Sequence, residues 1–376
     1  MKEILLTLLF LIPLCMCMQS KPKIATGISV QQDLFNTALR PGVACFRIPA
    51  LVTAPNGDLV AAIDERVPSC NDLGKNPNIN IVIRRSQDDG STWSEIETVA
   101  DYPSGQSASD PSMIVDEVTG EILLFYNFMD VAQAPGIYHL HVLKSGDNGQ
   151  TWSPPQDLTP QITKPKWQHD FKFITSGRGI QTRDGWLLHT MVNLDHGLHL
   201  FGSRDHGESW FLLETPIEPG DESKVVELAD GRWMINSRVK GCGMRYVHIS
   251  ADQGKTWQTQ PEPQLTDPAC NASLIRYSSA AAGAKKNRLL FSNANRSDAR
   301  ANMTVRISYD EGKTWSAGRT IYAGHSAYSS LTVLRNGEIG LLFEKDDHTQ
   351  NIFVRFSLAW LTDGADQTPE YKSQAK

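Results

Sequence analysis

The chain has 376 residues, of which 40% are hydrophobic and 21% are charged, and these values are typical of a folded globular protein. Its formal net charge is −6, and the sequence contains no long run of basic residues. The composition therefore excludes a disordered chain and argues against nucleic acid as a partner.

The N-terminus reads Met-Lys-Glu and continues with an apolar stretch from Ile4 to about Met18. This stretch is too short to predict a membrane span and is typical of a signal peptide over residues 1–20. We therefore predict a secreted, periplasmic or cell-surface protein whose residues 21–376 form a single domain. Cys15 and Cys17 lie where a lipoprotein carries its modified cysteine, so a lipid anchor is the alternative.

One eight-residue motif, Ser-x-Asp-x-Gly-x-Thr/Ser-Trp, occurs five times, and we call it the Asp box. Each copy follows a β-rich run, such as Ile79 to Arg85 or Met303 to Ile307, so we predict a turn at the end of a strand. The Asp suits local bonds to the backbone, and the Gly suits a positive φ. The boxes begin at Ser86, Ser145, Ser203, Ser250 and Ser308.

A second repeat, a turn followed by an apolar strand, precedes the Asp boxes. Its six copies are Asn56-Gly57, Thr119-Gly120, Asp184-Gly185, Asp230-Gly231, Lys286-Asn287 and Asn336-Gly337. Six turn-and-strand repeats together with five Asp boxes predict an all-β, six-bladed β-propeller of four-stranded antiparallel sheets. The last blade would end with residues 351–361 and be closed by an N-terminal strand near residues 28–34. A propeller alone does not determine a function.

The segment Phe46-Arg47-Ile48-Pro49 indicates a particular family of propellers. Together with the five Asp boxes it resembles the Phe/Tyr-Arg-Ile-Pro motif and the repeats of bacterial and animal sialidases, from about Ile28 to Leu361. The resemblance implies a bacterial exo-α-sialidase, a neuraminidase, that hydrolyses terminal sialic acid from glycoproteins, glycolipids or oligosaccharides with retention. A non-catalytic propeller that binds glycans or proteins, and a trans-sialidase or anhydro-sugar-forming enzyme of the same fold, remain alternatives.

In that family, three arginines hold the substrate carboxylate, and the resemblance assigns these roles to Arg47, Arg245 and Arg300. A guanidinium is planar and always charged, and it binds a carboxylate through two parallel hydrogen bonds. Arg296 lies close to Arg300 in the sequence and remains an alternative for the third position.

The resemblance assigns the nucleophile to Tyr328, its base to Glu227 and the general acid/base to Asp72. A phenol with a pKa of about 10 is a weak nucleophile, so it needs a base to take its proton. Glu227 lies in the apolar run Val225 to Leu228, and Asp72 lies on a loop where Asp64 is the other candidate. Sialidases are a recognised exception to the two-carboxylate pattern of glycosidases, and the tyrosine nucleophile is a general property of that family.

The resemblance also implies supporting roles. Arg66 would orient the substrate or Asp72, Asp110 would contact sugar hydroxyls, and Glu344 would pair with Arg47. Cys45 and Cys70 flank Arg47 and Asp72, which makes a bridge between them a hypothesis, because spacing alone does not pair the four cysteines of residues 21–376.

We predict no metal and no cofactor. His139 and His141 are interpreted as one face of a strand, and His196 and His199 as structural residues. The sequence also lacks a phosphate-binding glycine loop. The expected partners are sialylated glycans.

Overall fold

The computed structural model describes residues 22–368. The predicted signal peptide, residues 1–20 with Cys15 and Cys17, lies outside the described residues, so cleavage, lipidation and export stay predictions. Within the described part of the chain, no helix is long and apolar enough to cross a membrane. The helical elements are α1 (Thr159–Ile162), α2 (Leu358–Leu361) and 3-10 turns at Thr37–Leu39, Leu73–Lys75, Pro165–Trp167 and Ala280–Ala282.

The strands form the six blades that the repeats predict. After β1 (Val30–Asn36), the first blade contains β2 (Cys45–Thr53), β3 (Leu59–Val67), β4 (Asn78–Ser86) and β5 (Glu97–Ala100). The second contains β6 (Gln106–Asp116), β7 (Glu121–Asp130), β8 (His139–Ser145) and β9 (Gln156–Asp157). The third contains β10 (Lys172–Ile174), β12 (Ile180–Gln181), β13 (Leu187–Asn193), β14 (Gly197–Ser203) and β15 (Phe211–Leu212), while β11 (Gly177–Arg178) pairs with β6.

The remaining blades follow the same order along the chain. The fourth contains β16 (Ser223–Glu227), β17 (Trp233–Ser237), β18 (Met244–Ser250) and β19 (Gln258–Thr266). The fifth contains β20 (Ser273–Ser278), β21 (Arg288–Ala294), β22 (Ala301–Ser308) and the first part of β23 (Arg319–Val333). The second part of β23 starts the sixth blade, which continues with β24 (Ile339–Lys345) and β25 (Gln350–Phe356).

The ring closes as expected from the sequence. β1 pairs antiparallel with β25, so the N-terminal strand completes the last blade. The inner strands β23 and β2 also contact each other, which joins the last blade to the first. β1 thus covers the outer edge of β25, and radially repeated sheets keep their strand edges short and protected in this way.

The third blade departs from the predicted four regular strands. Its inner segment is broken into the short strands β10, β11 and β12, and β11 pairs in parallel with β6 of the second blade. Gly179 lies in this break, where a Cβ atom would come within 2.5 Å of the Leu188 carbonyl oxygen. A residue with a side chain could not occupy position 179 without a shift of the backbone, so glycine permits this close approach.

The Asp boxes are structural turns. In the second box, Asp147 accepts the amide of Thr151 at 2.8 Å and its hydroxyl at 2.6 Å, while Ser145 Oγ accepts the amide of Gly149 at 2.8 Å. Gly149 has a φ of 82°, as the turn requires. None of the five boxes contributes a residue to the cavity described below.

Hydrophobic layers between the blades hold the ring together. Between the first and second blades, Val52, Ile83 and Leu124 belong to one cluster whose core members are buried. Full burial of each such aliphatic side chain contributes about 1.5–3 kcal/mol. The packing of every blade against its neighbours therefore sets where the strand ends lie at the mouth of the ring.

Candidate active site

A cavity of about 610 Å³ collects residues from all six blades. Its titratable lining residues are Arg47, Asp72, Lys75, Asp110, Tyr138, Asp221, Glu222, Arg238, Arg300 and Tyr328. Phe171, Phe173 and Leu194 of the third blade form an apolar part of its wall. Because the charged residues come from distant parts of the chain, only the closed ring brings them together.

β-Bulges aim three of these side chains. The strand register shifts beside Arg47 in β2, beside Asp110 in β6 and beside Tyr328 in β23. Ile48 has a φ of 66°, which is a strained conformation for a β-branched residue. An extra residue in one strand redirects the side chains around it, so the bulges turn these three residues toward the cavity.

Tyr328 is placed against a carboxylate and a guanidinium. Its hydroxyl donates to Glu222 Oε2 at 2.7 Å and accepts from Arg238 Nη1 at 3.2 Å. Burial and the negative charge of Glu222 raise the pKa of Tyr328 well above 10.0, although Arg238 opposes the shift. The phenol is therefore neutral in the free protein, and Glu222 is positioned to take its proton.

The assignment of Glu227 as the partner of Tyr328 is corrected by this contact. Glu227 accepts from Arg183 Nε at 3.1 Å and lines a different cavity, to which Tyr328 does not contribute. Glu222 precedes β16 and Glu227 ends it, so about 17 Å of extended chain separates the two carboxylates. Glu222 is the carboxylate that sequence reasoning missed.

Three guanidinium groups surround the Tyr328 ring. The central carbons of Arg47 and Arg300 lie 5.8 Å and 5.5 Å from the ring centroid, and Arg238 donates to the hydroxyl. Within residues 22–368, the Arg300 side chain donates one hydrogen bond, to the Ala269 carbonyl oxygen at 3.4 Å. The cluster can therefore accept an anionic group beside the phenol.

Arg245 is not a member of this cluster, which corrects the second arginine assignment. It is 0% exposed, donates to Asn236 Oδ1 at 2.8 Å and pairs with Asp267 at 3.3 Å. These contacts satisfy its guanidinium inside the fourth blade, and Arg245 does not line the cavity. Arg238, which directly follows β17, takes the place that the sequence prediction gave to Arg245.

The choice between the two candidates for the third arginine is also decided by position. Arg300 lines the cavity, whereas Arg296 does not. The Arg296 side chain is 50% exposed and pairs with Asp298 at 2.6 Å. Arg296 therefore belongs to the solvated surface.

Asp72 lies on the loop between β3 and β4 at the rim of the cavity. Its carboxylate contacts Arg66 at 2.7 Å and Arg47 at 3.5 Å, and its side chain is 81% exposed. Desolvation opposes the shift, but the charges of Arg66 and Arg47 lower the pKa of Asp72 below 3.8. In the free protein Asp72 is therefore ionised, and its exposed carboxylate is accessible from the cavity.

The loop is anchored at its base. A disulfide joins Cys45 and Cys70, with Cα atoms 5.7 Å apart, which agrees with the bridge hypothesised from the sequence. Arg66 donates to Asp64 at 2.9 Å and to Asp72, so it connects β3 to the loop. Asp64 is 0% exposed and does not line the cavity, which supports Asp72 as the accessible carboxylate.

Glu344 supports Arg47 from beneath, as the sequence resemblance implies. Glu344 Oε1 lies 3.3 Å from Arg47 Nε and accepts the amide of Ile48 at 2.9 Å, and its other oxygen accepts the amide of Tyr328 at 3.0 Å. One carboxylate thus fixes both an arginine and the backbone of the tyrosine. Burial would raise the pKa of Glu344, but the charge of Arg47 and the hydrogen bond with His348 lower it below 4.5.

We predict that this carboxylate makes stability depend on pH. The free energy of unfolding of the Glu344→Gln variant should be lower than that of wild type by about 3 kcal/mol at pH 7, because Arg47 loses its buried charged partner. Because the pKa of Glu344 is lower in the folded state than its ordinary value of 4.5, the ionised carboxylate stabilises the folded state fully above pH 4.5. This contribution decreases as the pH falls below 4.5. Thermal unfolding from pH 7 to pH 3 should therefore show the difference between wild type and variant narrowing with acidity. A difference that is constant over this range contradicts the assignment.

Asp110 presents a different electrostatic state. Its backbone amide donates to Asp64 at 2.8 Å, and its carboxyl accepts from Asn127 at 3.1 Å. Burial and the neighbouring charge of Asp64 raise the pKa of Asp110 to about 8. A raised pKa favours the protonated form of the carboxyl, which can donate a hydrogen bond into the cavity.

The chain matches known proteins over most of its length. Residues 74–341 match the BNR repeat-like domain family. A sialidase of Micromonospora viridifaciens is 37% identical over 362 residues, which cover 88% of this chain and 54% of that protein. The chain belongs to the BNR repeat-like domain family.

Two further sialidases extend the comparison. A sialidase of Bacteroides fragilis is 32% identical over 330 residues, covering 80% of this chain and 60% of that protein. The solved structure of the Hadza microbial sialidase Hz136 has a TM-score of 0.76 and 30% identity, covering 84% of this chain and 66% of that one. The chain thus spans between about half and two thirds of the length of these relatives.

Proposed function

We propose that this chain is an exo-α-sialidase that hydrolyses terminal sialic acid from glycans with retention of configuration. The observation that carries the proposal is the 2.7 Å contact between the Tyr328 hydroxyl and Glu222 inside a cluster of three arginines. A nucleophile paired with a base, beside a seat for an anion, suits an acidic sugar better than a neutral one. A propeller that only binds glycans has no need of the buried base.

The arginines seat the substrate carboxylate. Arg47, Arg238 and Arg300 all line the cavity and approach Tyr328. Glu344 holds Arg47 in place, so the guanidinium is oriented before the substrate arrives. The carboxylate of sialic acid is attached to the anomeric carbon, so seating it beside Tyr328 brings the reacting carbon to the nucleophile.

Attack by Tyr328 forms the first covalent bond. As the phenol oxygen bonds to the anomeric carbon, its proton passes along the existing hydrogen bond to Glu222. A neutral phenol approaches a carbon that bears a carboxylate without the repulsion that an Asp or Glu nucleophile would meet. Arg238 contacts both the hydroxyl and Glu222, so it stabilises the negative charge wherever it lies along this path.

Asp72 acts as the acid and then as the base. In the free protein Arg66 and Arg47 keep it ionised. A substrate carboxylate that binds Arg47 competes for the same positive charge, so it raises the pKa of Asp72 toward a protonated state. Asp72 then protonates the leaving oxygen as its bond to the anomeric carbon breaks. In the second step Asp72 takes a proton from the attacking water, the bond to Tyr328 breaks, and Glu222 returns its proton to the phenol oxygen. Asp110, which lines the cavity, supplies a hydrogen-bonding carboxyl group to a sugar hydroxyl.

The first test is the release of fluorophore from an α-sialoside by the full chain without added metal. We expect hydrolysis by wild type and a loss of about 100-fold in kcat/KM for Arg238→Ala, since a charge-assisted contact of ~2.7 kcal/mol is removed. The matched control is Arg296→Ala, which removes an exposed arginine outside the cavity and should remain within about twofold of wild type.

Comparison of Arg238→Ala with Arg296→Ala separates the role of Arg238 in binding the substrate carboxylate from a general effect of removing a positive charge. Equal activity in wild type and Arg238→Ala contradicts the placement of Arg238 in the carboxylate seat. No release by folded wild type contradicts the sialidase proposal as a whole. Analysis of the product also bears on the reaction class, because an anhydro-sugar or a transfer product contradicts hydrolysis.

A further inference from the structure

We propose that His139, His141 and Asp157 form a binding site for a transition-metal ion, with Zn²⁺ as the best fit, on the outer edge of the second blade. One ligand atom from each of these residues lies within 4.8 Å of the other two. The histidines were interpreted from the sequence as one face of a strand, which is how β8 presents them. The fold adds a carboxylate from β9, which no sequence spacing indicated.

The geometry follows from strand pairing. His139 and His141 are two residues apart on β8, so their side chains point to the same side of the sheet. Asp157 pairs directly with His141 across the β8–β9 ladder. His139 Nδ1 lies 3.1 Å from Asp157 Oδ2, close to the ~3.3 Å that separates two ligands of a tetrahedral zinc ion.

The set of ligands favours zinc over calcium or magnesium. Two imidazoles and one carboxylate supply three protein ligands, and a tetrahedral zinc site of this kind takes water in the fourth position. Calcium and magnesium prefer oxygen ligands alone. The His139 and Asp157 side chains are 38% and 39% exposed, so an ion can enter from solvent and keep a water ligand.

The surroundings of His141 resemble the supporting shell of a metal ligand. The hydroxyls of Tyr126 and Tyr102 each lie 3.4 Å from His141 Nδ1, and they lie 2.7 Å from each other. If Nδ1–H donates to a tyrosine oxygen, the lone pair of Nε2 is free to bind a metal. Phe128 stacks on the imidazole at a centroid distance of 5.1 Å and holds the ring plane.

A bound ion would join the outer strand to the blade. β9 has only two residues, Gln156 and Asp157, so few backbone bonds hold it to β8. Zinc would cross-link the two strands, and an ion that binds only the folded state raises its stability. The residue before His139 is Tyr138, which lines the catalytic cavity, so the ion would fix the strand that starts at the cavity wall.

The test is calorimetric titration of Zn²⁺ alone into chelator-treated, tag-free full chain. We expect one saturable site in wild type and at least a tenfold weaker Kd in His139→Ala and in Asp157→Ala. Both residues are partly exposed, so these variants should fold. The matched control is His169→Ala, which removes an exposed histidine outside the cluster and should leave the Kd unchanged.

A second measurement addresses the supporting tyrosines. The double variant Tyr102→Phe/Tyr126→Phe keeps both rings but removes both hydroxyls beside His141, and we expect the Kd to weaken by about tenfold. Zinc should also raise the unfolding temperature of wild type and not that of Asp157→Ala. The absence of saturable binding to wild type, or equal binding by wild type and Asp157→Ala, overturns the proposal. Neither result depends on sialidase activity.

Discussion

Replacing Tyr328 with Phe is expected to lower kcat for sialoside hydrolysis by about 10,000-fold. The change removes a single oxygen, the atom that would form the covalent bond, and leaves the ring between Arg47 and Arg300. Loss of a nucleophile that acts together with a base is among the largest effects of single substitutions in enzymes. Stopped-flow and steady-state assays of the folded variant with a fluorogenic α-sialoside measure the effect.

The matched control for Tyr328 is another buried tyrosine hydroxyl. Tyr277 is 3% exposed and donates to the Gly337 carbonyl at 2.8 Å, away from the cavity. Tyr277→Phe should retain kcat within about twofold, because it removes a buried hydroxyl of the same kind without touching the reacting atoms. Near-wild-type turnover by Tyr328→Phe removes Tyr328 from the mechanism.

Replacing Glu222 with Gln is expected to lower kcat by about 1,000-fold. The amide keeps the size of the side chain but cannot accept the phenol proton, and general-base catalysis contributes about 100- to 10,000-fold. Arg238 retains Asp221 as a charged neighbour at 3.6 Å, which favours a folded variant. Single-turnover kinetics, which report the glycosylation step directly, measure this loss.

Glu227→Gln is the control that decides between the two carboxylates. Glu227 pairs with Arg183 and lines the other cavity, so its variant should hydrolyse the substrate at a near-wild-type rate. A large loss in Glu227→Gln with none in Glu222→Gln restores the sequence-based assignment. A loss confined to Glu222→Gln supports the geometry described above.

The fold was predictable because its signals are local. The Asp boxes and the Gly-containing turns are short segments whose conformation depends on residues close in sequence, such as Asp147 binding Thr151. Their number and spacing predicted six blades, and the pairing of β1 with β25 confirmed the closing strand. The broken inner strand of the third blade was not predicted, because its segment β11 pairs in parallel with β6 of another blade, a contact between distant parts of the chain.

The errors at the site share one physical cause. The Asp230-Gly231 turn joins β16 to β17, so Glu227 lies at the turn end of this hairpin. Glu222 before β16 and Arg238 after β17 lie together at the opposite end, where the cavity opens. The sequence did contain a usable signal: charged residues just before the first strand and just after the second strand of a predicted hairpin, at the end opposite its turn, are the ones that face the cavity.

By itself, the sequence determined the blade repeat, the motif around Arg47, the candidate tyrosine and the loop carboxylate Asp72, because each depends on a short segment or a recognisable motif. Only the tertiary structure decided that Glu222 and Arg238 face Tyr328, that Arg245 is buried, and that Asp157 meets two histidines. These contacts join segments far apart in the chain, and a shift of a few residues along a strand moves a side chain from one end of a blade to the other. Their positions thus depend on the packing of six blades into a closed ring.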